Sequence, residues 1–246
     1  MQNRFLYFPD GNWPTPQMLA SDNLALWQVT GSDYRGLIAA GDVSAPSGTM
    51  VIFHGNGGTA LDRGFYLDPL NNLGFRVILA EYPKYGGRPG KVGEKPFVAD
   101  GAETIRLVYE QYGEPLYLLG ESLGCGVAAA VAKQTTVPIA GIILITPWDT
   151  LASVAGSLFP FLPVKFLLTD KYDSIENLKT YQRKIAVIAA EHDEILPIRH
   201  AYKLYESLPE GRKRMWVIPE AGHNDWPFHA DGSLWEEMTD FVKVHP

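Results

Sequence analysis

Ser122 lies in Gly120-Glu121-Ser122-Leu123-Gly124, a G-x-S-x-G pattern. In such a pentapeptide the serine occupies a strained turn between a strand and a helix, and the glycines remove Cβ atoms that would clash there. The pattern alone recurs by chance, and its bland reading is a Gly-rich turn. Context favours the elbow. Leu116-Tyr-Leu-Leu119 directly before it is a buried-strand run, and Cys125-Gly-Val-Ala-Ala-Ala-Val-Ala132 directly after it is a small-residue helix able to approach a sheet closely. The N-terminus of that helix favours negative charge near Ser122.

A serine hydroxyl is a weak nucleophile until a base takes its proton. Of the six histidines, His54 and His192 precede or abut the stretch expected to supply an acid, His200 falls in a helical pattern and His245 adjoins the chain end. His223 is favoured over His229 because Ala221-Gly-His-Asn-Asp225 follows the strand-like run Met215–Ile218 at once, on a Gly-containing loop. The orienting acid is expected one strand earlier, where Glu191-His-Asp-Glu194 offers three carboxylates. Asp193, short and bounded by the strand and Pro197, suits a buried hydrogen bond to the imidazole. Glu194 is the alternative, and Asp225 a weaker one. The resulting order of Ser, Asp and His is one that such elbows use.

Hydrolysis also requires donors aimed at the developing oxyanion, each contributing about 3–4 kcal/mol. His54-Gly-Asn-Gly-Gly58 follows the run Met50–Phe53 and offers the N–H of Asn56, which would pair with that of Leu123. The plain alternative for these glycines is a tight turn, and His54 is read as a structural hydrogen bond that shapes the loop.

The elements that must position these residues are legible as alternating runs. Met50–Phe53, Phe75–Ala80, Leu116–Leu119, Gly141–Thr146, Ile185–Ala190 and Met215–Ile218 are rich in Val, Ile and Leu without polar alternation, as expected of strands buried on both faces. Helical patterns lie between them at Ala60–Leu73, Pro96–Tyr112, Leu123–Lys133, Ile198–Ser207 and Gly232–Val244. The order implies an α/β fold, a mainly parallel sheet with helices on both sides. Leu24–Val29 and Tyr34–Ala40, separated by Thr30-Gly-Ser32-Asp33, are expected to form a hairpin leading into it. Trp148 to about Lys179 breaks the alternation and is too long for an ordinary connection. It is expected to be a cap inserted into a single domain over 1–246, with Trp148, Leu158, Phe159, Phe161, Leu162, Phe166 and Leu167 as an acyl-side wall or, equally, a satellite core.

Taken together, the chain resembles the α/β hydrolases of the serine-hydrolase type, and among them the small-cap ABHD/Bem46-like branch. The resemblance runs from Tyr7-Phe-Pro-Asp-Gly11 to the C-terminus. Besides the elbow, it is carried by His54-Gly-Asn-Gly57, Glu81-Tyr-Pro-Lys-Tyr-Gly86, Tyr172-Asp-Ser174, His192-Asp-Glu-Ile-Leu-Pro197 and Gly222-His-Asn224. It implies a metal-free hydrolase of carboxylic ester, thioester or related acyl bonds, needing no cofactor and taking a small-molecule acyl substrate. Glu81 stands where that branch more often has Asp, Lys84 where Gly is common, and Ala190 where Gly often precedes the acid loop. These departures spare Ser122, Asp193 and His223 but leave the loop after Tyr82 open.

The remaining composition narrows the alternatives. A net charge of −7 gives no electropositive footprint for nucleic acid. The histidines lack the close spacing of metal sites. The single cysteine, Cys125, cannot form an internal disulfide, which fits a reducing, cytoplasmic setting. No run approaches the ~20 apolar residues of a membrane span, so a soluble protein is expected. Two rivals share these features: a non-catalytic binding or scaffold protein, and a peptidase or acyltransferase using the same residues.

Overall fold

The structure, a computed structural model, describes residues 2–31, 33–41, 43–159, 161, 163 and 167–243. Ser32 of the expected hairpin turn, Leu162 and Phe166 of the apolar run, and Val244 and His245 lie outside the described residues.

Eight strands form the central sheet: β1 (Leu24–Trp27), β2 (Gly36–Ala39), β3 (Gly48–Phe53), β4 (Phe75–Ala80), β5 (Leu116–Glu121), β6 (Ile139–Ile145), β7 (Lys184–Ala190) and β8 (Lys213–Ile218). Their spatial order is β8-β7-β6-β5-β3-β4-β2-β1. The expected hairpin is present as β1 and β2, with Leu24 opposite Ala39, and β2 joins β4 antiparallel. All other pairings are parallel.

Alternate residues of β3 to β7 enter two separate cores, which is why these strands show no polar face. Strand β8, expected to be buried on both faces, lies at the sheet edge with Arg214 and Val217 exposed, because among the described residues no strand covers its outer side. Val51, Phe53, Ile78, Leu118, Ile142 and Val187 pack under helices α1 (Glu94–Tyr112), α2 (Leu123–Gln134) and α4 (Arg199–Ser207). Met50, Ile52, Val77, Leu119, Ile143 and Ile188 pack against Leu67–Asn72 and α5 (Gly232–Val242) on the other face. Helix α1 buries Phe97, Val98, Gly101, Thr104, Ile105 and Val108, one stripe at helical period. It begins at Glu94 rather than Pro96, because a proline in the first helical turn removes an N–H that has no partner there anyway.

The expected helix over Ala60–Leu73 is instead a 3-10 turn, Leu61–Tyr66, followed by a short α-helix, Leu67–Asn72. Gly64 weakens the first part, and Pro69 has no N–H to offer the turn before it. Within the 148–179 stretch, helix α3 (Leu151–Leu158) is capped by the Thr150 hydroxyl, and Asp173 caps Ser174–Leu178. An antiparallel bridge between Thr150 and Asp173 closes the excursion at its base. Among the described residues no helix is long and apolar enough to cross a membrane.

Strand order also decides where chemistry can occur. From β3 the chain crosses to β4 on one side, whereas β5 leads to β6 on the other, so the loops after β3 and β5 diverge and leave a crevice at the carboxyl ends. Phe53 and Gly120 are in register, which sets the loop after β3 level with the elbow after β5. Ala190 and Ile218 are likewise in register, aligning the two loops that carry Asp193 and His223.

Helix α2 is buried along Leu123–Val131, and its closeness to the sheet depends on glycine. A Cβ on Gly124 would lie 1.8 Å from the Phe53 carbonyl oxygen, and one on Gly101 would lie 2.8 Å from Val131. Gly124→Ala therefore forces α2 away from β3. Overpacking of this kind costs about 1–3 kcal/mol, and each kcal/mol lowers the thermal midpoint of a chain this size by about 2–4 °C. Thermal denaturation should show a drop of several degrees; an unchanged midpoint would mean that the helix has room to shift.

Candidate active site

Ser122 ends the turn between β5 and α2 with φ +53° and ψ −116°, a backbone conformation that L-residues rarely adopt and that marks strained turns at functional sites. The strain is held from several directions. Ser122 donates its N–H to Ile145 at 3.0 Å, and its carbonyl accepts from the Cys125 N–H at 2.9 Å and from the Trp148 indole N–H at 3.1 Å. Gly120 is required for space, since a Cβ there would meet the Gly124 carbonyl oxygen at 2.5 Å.

His223 follows β8 and Asp193 follows β7. The ring brings its Nδ1 within 2.7 Å of Asp193 Oδ2 and its Nε2 within 3.0 Å of Ser122 Oγ. Asp193 is surrounded by donors: its other oxygen, Oδ1, accepts the N–H groups of Ile195 at 3.0 Å and Leu196 at 2.6 Å. A carboxylate can only accept, so the imidazole proton belongs on Nδ1 and the Nε2 lone pair faces the serine hydroxyl. The chain order Ser, Asp, His thus converges on one point, with Asp193 and His223 buried.

The alternatives take other positions. Glu194 accepts the backbone N–H of His223 at 3.1 Å, and a bond from its own backbone, together with that one, holds its carboxyl below the usual range. Asp225 accepts the Gly222 N–H at 2.6 Å and lies 3.7 Å from His229. Both acids shape the histidine loop without touching the ring of His223. Cys125 is buried beside the elbow, 3.1 Å from the Gly120 carbonyl oxygen and 3.2 Å from that of Ile145. Burial pushes its thiol well up, away from the thiolate a nucleophile needs.

The loop after β3 reaches the same point. Asn56 and Leu123 both line the cleft beside Ser122, and a Cβ on Gly55 would sit 3.6 Å from that of Ser122. Leu123 is the first residue of α2, where backbone N–H groups have no intrahelical partner. The Asn56 carbonyl accepts from the Phe8 N–H at 3.1 Å and the Tyr85 hydroxyl at 2.8 Å. His54 is buried with Nδ1 2.8 Å from the Gly55 carbonyl and Nε2 2.9 Å from Glu81. Glu81 in turn accepts the N–H groups of Ala60 and Tyr82. The longer side chain at position 81 therefore ties the loop after Tyr82 to the loop after β3.

Ser122 and His223 open onto a cleft of about 1030 Å³ lined by Leu151, Val154, Leu158, Phe159, Leu167 and Leu168 from the 148–179 stretch and its surroundings. Trp148 also lines it, but its indole holds the elbow. Phe159 is at the cleft wall; Phe161 is 98% exposed and outside the lining. Sequence reasoning missed the opposite wall. Phe5, Leu6 and Phe8 line the cleft, and Phe8–Pro9 pairs with Gly57–Gly58 as a small parallel ladder. The only signal was the apolar cluster Phe5-Leu-Tyr-Phe8, too short to show a period. Also missed was a buried link behind α3: Asp149 lies 2.8 Å from His200 and 2.6 Å from Lys203, and His200 lies 3.1 Å from Ser157. Burial alone would raise the Asp149 carboxyl, but its bonds to Lys203, Ser153 and His200 outweigh this and lower it.

Sequence spacing pointed to no metal site, yet the fold brings Glu191, His192 and Glu220 together with ligand atoms within 4.8 Å. All three are solvent-exposed, and Glu191 accepts the Glu220 N–H.

Residues 44–167 match the family described as serine aminopeptidase, S33 (Hydrolase_4). The uncharacterized protein Rv2307c of Mycobacterium tuberculosis is 31% identical, over 98% of this chain and 86% of its own length. The lysophosphatidylserine lipase ABHD12 of Danio rerio is 26% identical over 80% of this chain and 59% of its own. Among solved structures, the Pyrococcus furiosus esterase Pf2001 superposes with a TM-score of 0.68 at 17% identity, covering 96% of both chains. A monoacylglycerol lipase of Paleococcus ferrophilus gives 0.61 at 21% identity, over 80% of this chain and 96% of that one. These two structural likenesses concern the fold alone.

The double anchoring of Asp193 separates two roles of its side chain. Asp193→Asn keeps an oxygen for the Ile195 and Leu196 N–H groups, whereas Asp193→Ala strands both. The alanine variant should lose about 1 kcal/mol more than the asparagine variant, the typical cost of losing a side-chain cap. Urea denaturation of the two variants measures the difference, and equal stabilities would show that these bonds contribute nothing.

Proposed function

As a member of the Hydrolase_4 family the chain belongs to the ABHD-like serine hydrolases of the α/β-hydrolase fold, and we propose that it cleaves carboxylic ester or thioester bonds through an acyl-enzyme on Ser122. The observation that carries this reading is Ser122 Oγ at 3.0 Å from His223 Nε2, with Asp193 at 2.7 Å from the other ring nitrogen, at the floor of an apolar cleft.

In the proposed reaction His223 Nε2 takes the hydroxyl proton as Ser122 Oγ attacks the substrate carbonyl. The N–H groups of Asn56 and Leu123 receive the developing oxyanion. Collapse breaks the bond to the alcohol or thiol, which leaves with the proton from His223. Water then attacks the acyl-enzyme, giving its proton to His223, and the acid departs as Ser122 regains a proton. Asp193 holds the ring and stabilises the imidazolium throughout. No step calls on a metal or an organic cofactor.

The substrate is read as a small acyl ester or thioester because aliphatic and aromatic side chains dominate the cleft beside the reacting atoms. The 148–179 stretch acts as a cap forming its acyl-side wall, through Leu151, Val154, Leu158 and Phe159. The lysophosphatidylserine lipase among the sequence relatives agrees with an ester substrate, while the family description keeps peptide bonds as a second reading.

Ser122→Ala should abolish turnover of p-nitrophenyl esters and leave the thermal midpoint nearly unchanged. Retention of more than about a hundredth of the wild-type rate constant would remove Ser122 as nucleophile. Turnover of aminoacyl p-nitroanilides but of no ester would favour the peptidase reading, and turnover of neither would favour a binding protein.

Each methylene entering the cleft contributes up to about 0.8 kcal/mol, so kcat/KM should rise with acyl length from acetate onward and drop where the wall ends. Leu158→Ala and Phe159→Ala should move that drop to longer chains, whereas Phe161→Ala should leave it in place. An identical chain-length profile in all three variants would take the cap wall out of substrate selection.

A further inference from the structure

We infer that Arg63 is a positioning residue that holds the two halves of the oxyanion site in one geometry, by clasping with a single guanidinium the residue before Ser122 and the loop that carries Asn56. The inference rests on the reading of Ser122 as nucleophile and goes beyond it by assigning a role to a residue outside the Ser-His-Asp set.

The need for such a clasp follows from the chain. Asn56 and Leu123 belong to separate loops that meet only at the crevice between β3 and β5. The first loop, with glycines at 55, 57 and 58, has few side chains with which to fix its own N–H groups. Arg63 stands between the two loops on the 3-10 turn Leu61–Tyr66. Its Nε donates to Glu121 Oε2 at 3.1 Å and its Nη2 to Glu121 Oε1 at 2.9 Å, a two-pronged pairing that fixes orientation as well as distance. The same Nη2 donates to the Gly57 carbonyl at 3.3 Å. Glu121 is the residue between Gly120 and Ser122, so its carboxylate is a handle on the elbow itself.

The neighbouring side chains of the turn reinforce both grips. Tyr66 donates its hydroxyl to Glu121 Oε2 at 2.9 Å. Asp62 Oδ2 accepts the Thr59 N–H at 2.7 Å and its hydroxyl at 3.0 Å. Gly58 lies so close that a Cβ, at a φ of +75°, would meet Asp62 Oδ2 at 2.7 Å. One short turn thus grips the elbow through Arg63 and Tyr66 and the oxyanion loop through Arg63 and Asp62. The pair is largely withdrawn from water, with Arg63 15% and Glu121 13% exposed, so a lost contact is poorly replaced by solvent.

A shift of about 1 Å in a group that must meet the transition state costs on the order of a hundredfold in rate. Arg63→Ala should therefore lower kcat on p-nitrophenyl butyrate by about tenfold to a hundredfold, with KM little changed. It should slow the reaction of Ser122 with a fluorophosphonate by a similar factor, because the phosphoryl oxygen uses the same donors. Added guanidinium or ethylguanidine should restore part of both rates saturably, and Arg63→Lys should fall between wild type and alanine. All rates are taken below the thermal midpoint of each variant. Glu121→Gln provides the second arm and should lower kcat in the same direction.

If Arg63→Ala and Glu121→Gln keep kcat within about threefold of wild type while their midpoints fall, the pair is structural only and the inference fails. A raised KM confined to anionic esters, with kcat unchanged, would make Arg63 a substrate contact and also overturn it. In both cases active wild type and inactive Ser122→Ala leave the proposed function standing. A wild-type protein that reacts with neither ester nor fluorophosphonate would overturn both.

Discussion

The whole site depends on one close approach, the passage of helix α2 across the carboxyl ends of β3 and β5. Gly124 has the Phe53 carbonyl where a Cβ would be, and Gly120 has the backbone of Gly124 and Cys125. With this approach the chain can reverse at Ser122 in a left-handed conformation and present the hydroxyl outward. Without it the serine would be an ordinary first-turn residue of a buried helix. The conformational cost at Ser122 is local, whereas the bonds that hold it come from β6, from α2 and from Trp148.

Around the elbow, several polar groups that would be costly to bury are bonded on more than one side. Asp193 uses one oxygen on two backbone N–H groups and the other on His223. Glu81 divides its oxygens among His54, Ala60 and Tyr82. Arg88, buried, joins Asp33 and Asp100 and also donates to the Glu81 carbonyl; burial opposes its charge, but the two carboxylates outweigh that and raise its pKa. Such networks are rigid because breaking one member leaves a buried charge unpaired. Rigidity is what the proposed oxyanion site would require, since its donors must already point where charge will develop.

The cleft wall is assembled differently. Its lining includes residues far apart in sequence, Phe5, Leu6 and Phe8 on one hand and Leu151, Leu158, Phe159 and Leu168 on the other, none of them in the eight-stranded sheet. They are joined where Gln2 and Tyr7 donate to Asp170 at 2.7 and 2.6 Å and Gln2 accepts from Thr169. Phe5, Leu158 and Leu167 are nevertheless exposed. Ser122, Asp193 and His223 are thus placed by loops that follow packed strands, and the walls by docking of segments outside the sheet.

Much of this was already determined by the amino-acid sequence. Five of the six apolar runs, too uniform for a half-exposed sheet, mark strands buried on both faces, and the two cores that receive their alternate side chains are the reason; the sixth, Met215–Ile218, is an edge strand with Val217 exposed. Gly120-Glu-Ser-Leu-Gly124 marks the elbow because only glycine fits where backbones nearly touch, a requirement that is local and therefore visible. Asp193 and His223 are legible because each follows a strand in chain order. What the sequence did not determine is everything that depends on two loops meeting. The clasp of Arg63 on Glu121, the support of Asn56 by Phe8 and Tyr85, the link from Asp149 to His200 and the placement of Phe161 away from the cleft have no period and no spacing. Their partners are distant in the chain and are chosen by strand order and by the hand of the crossovers, so only the tertiary structure decided them.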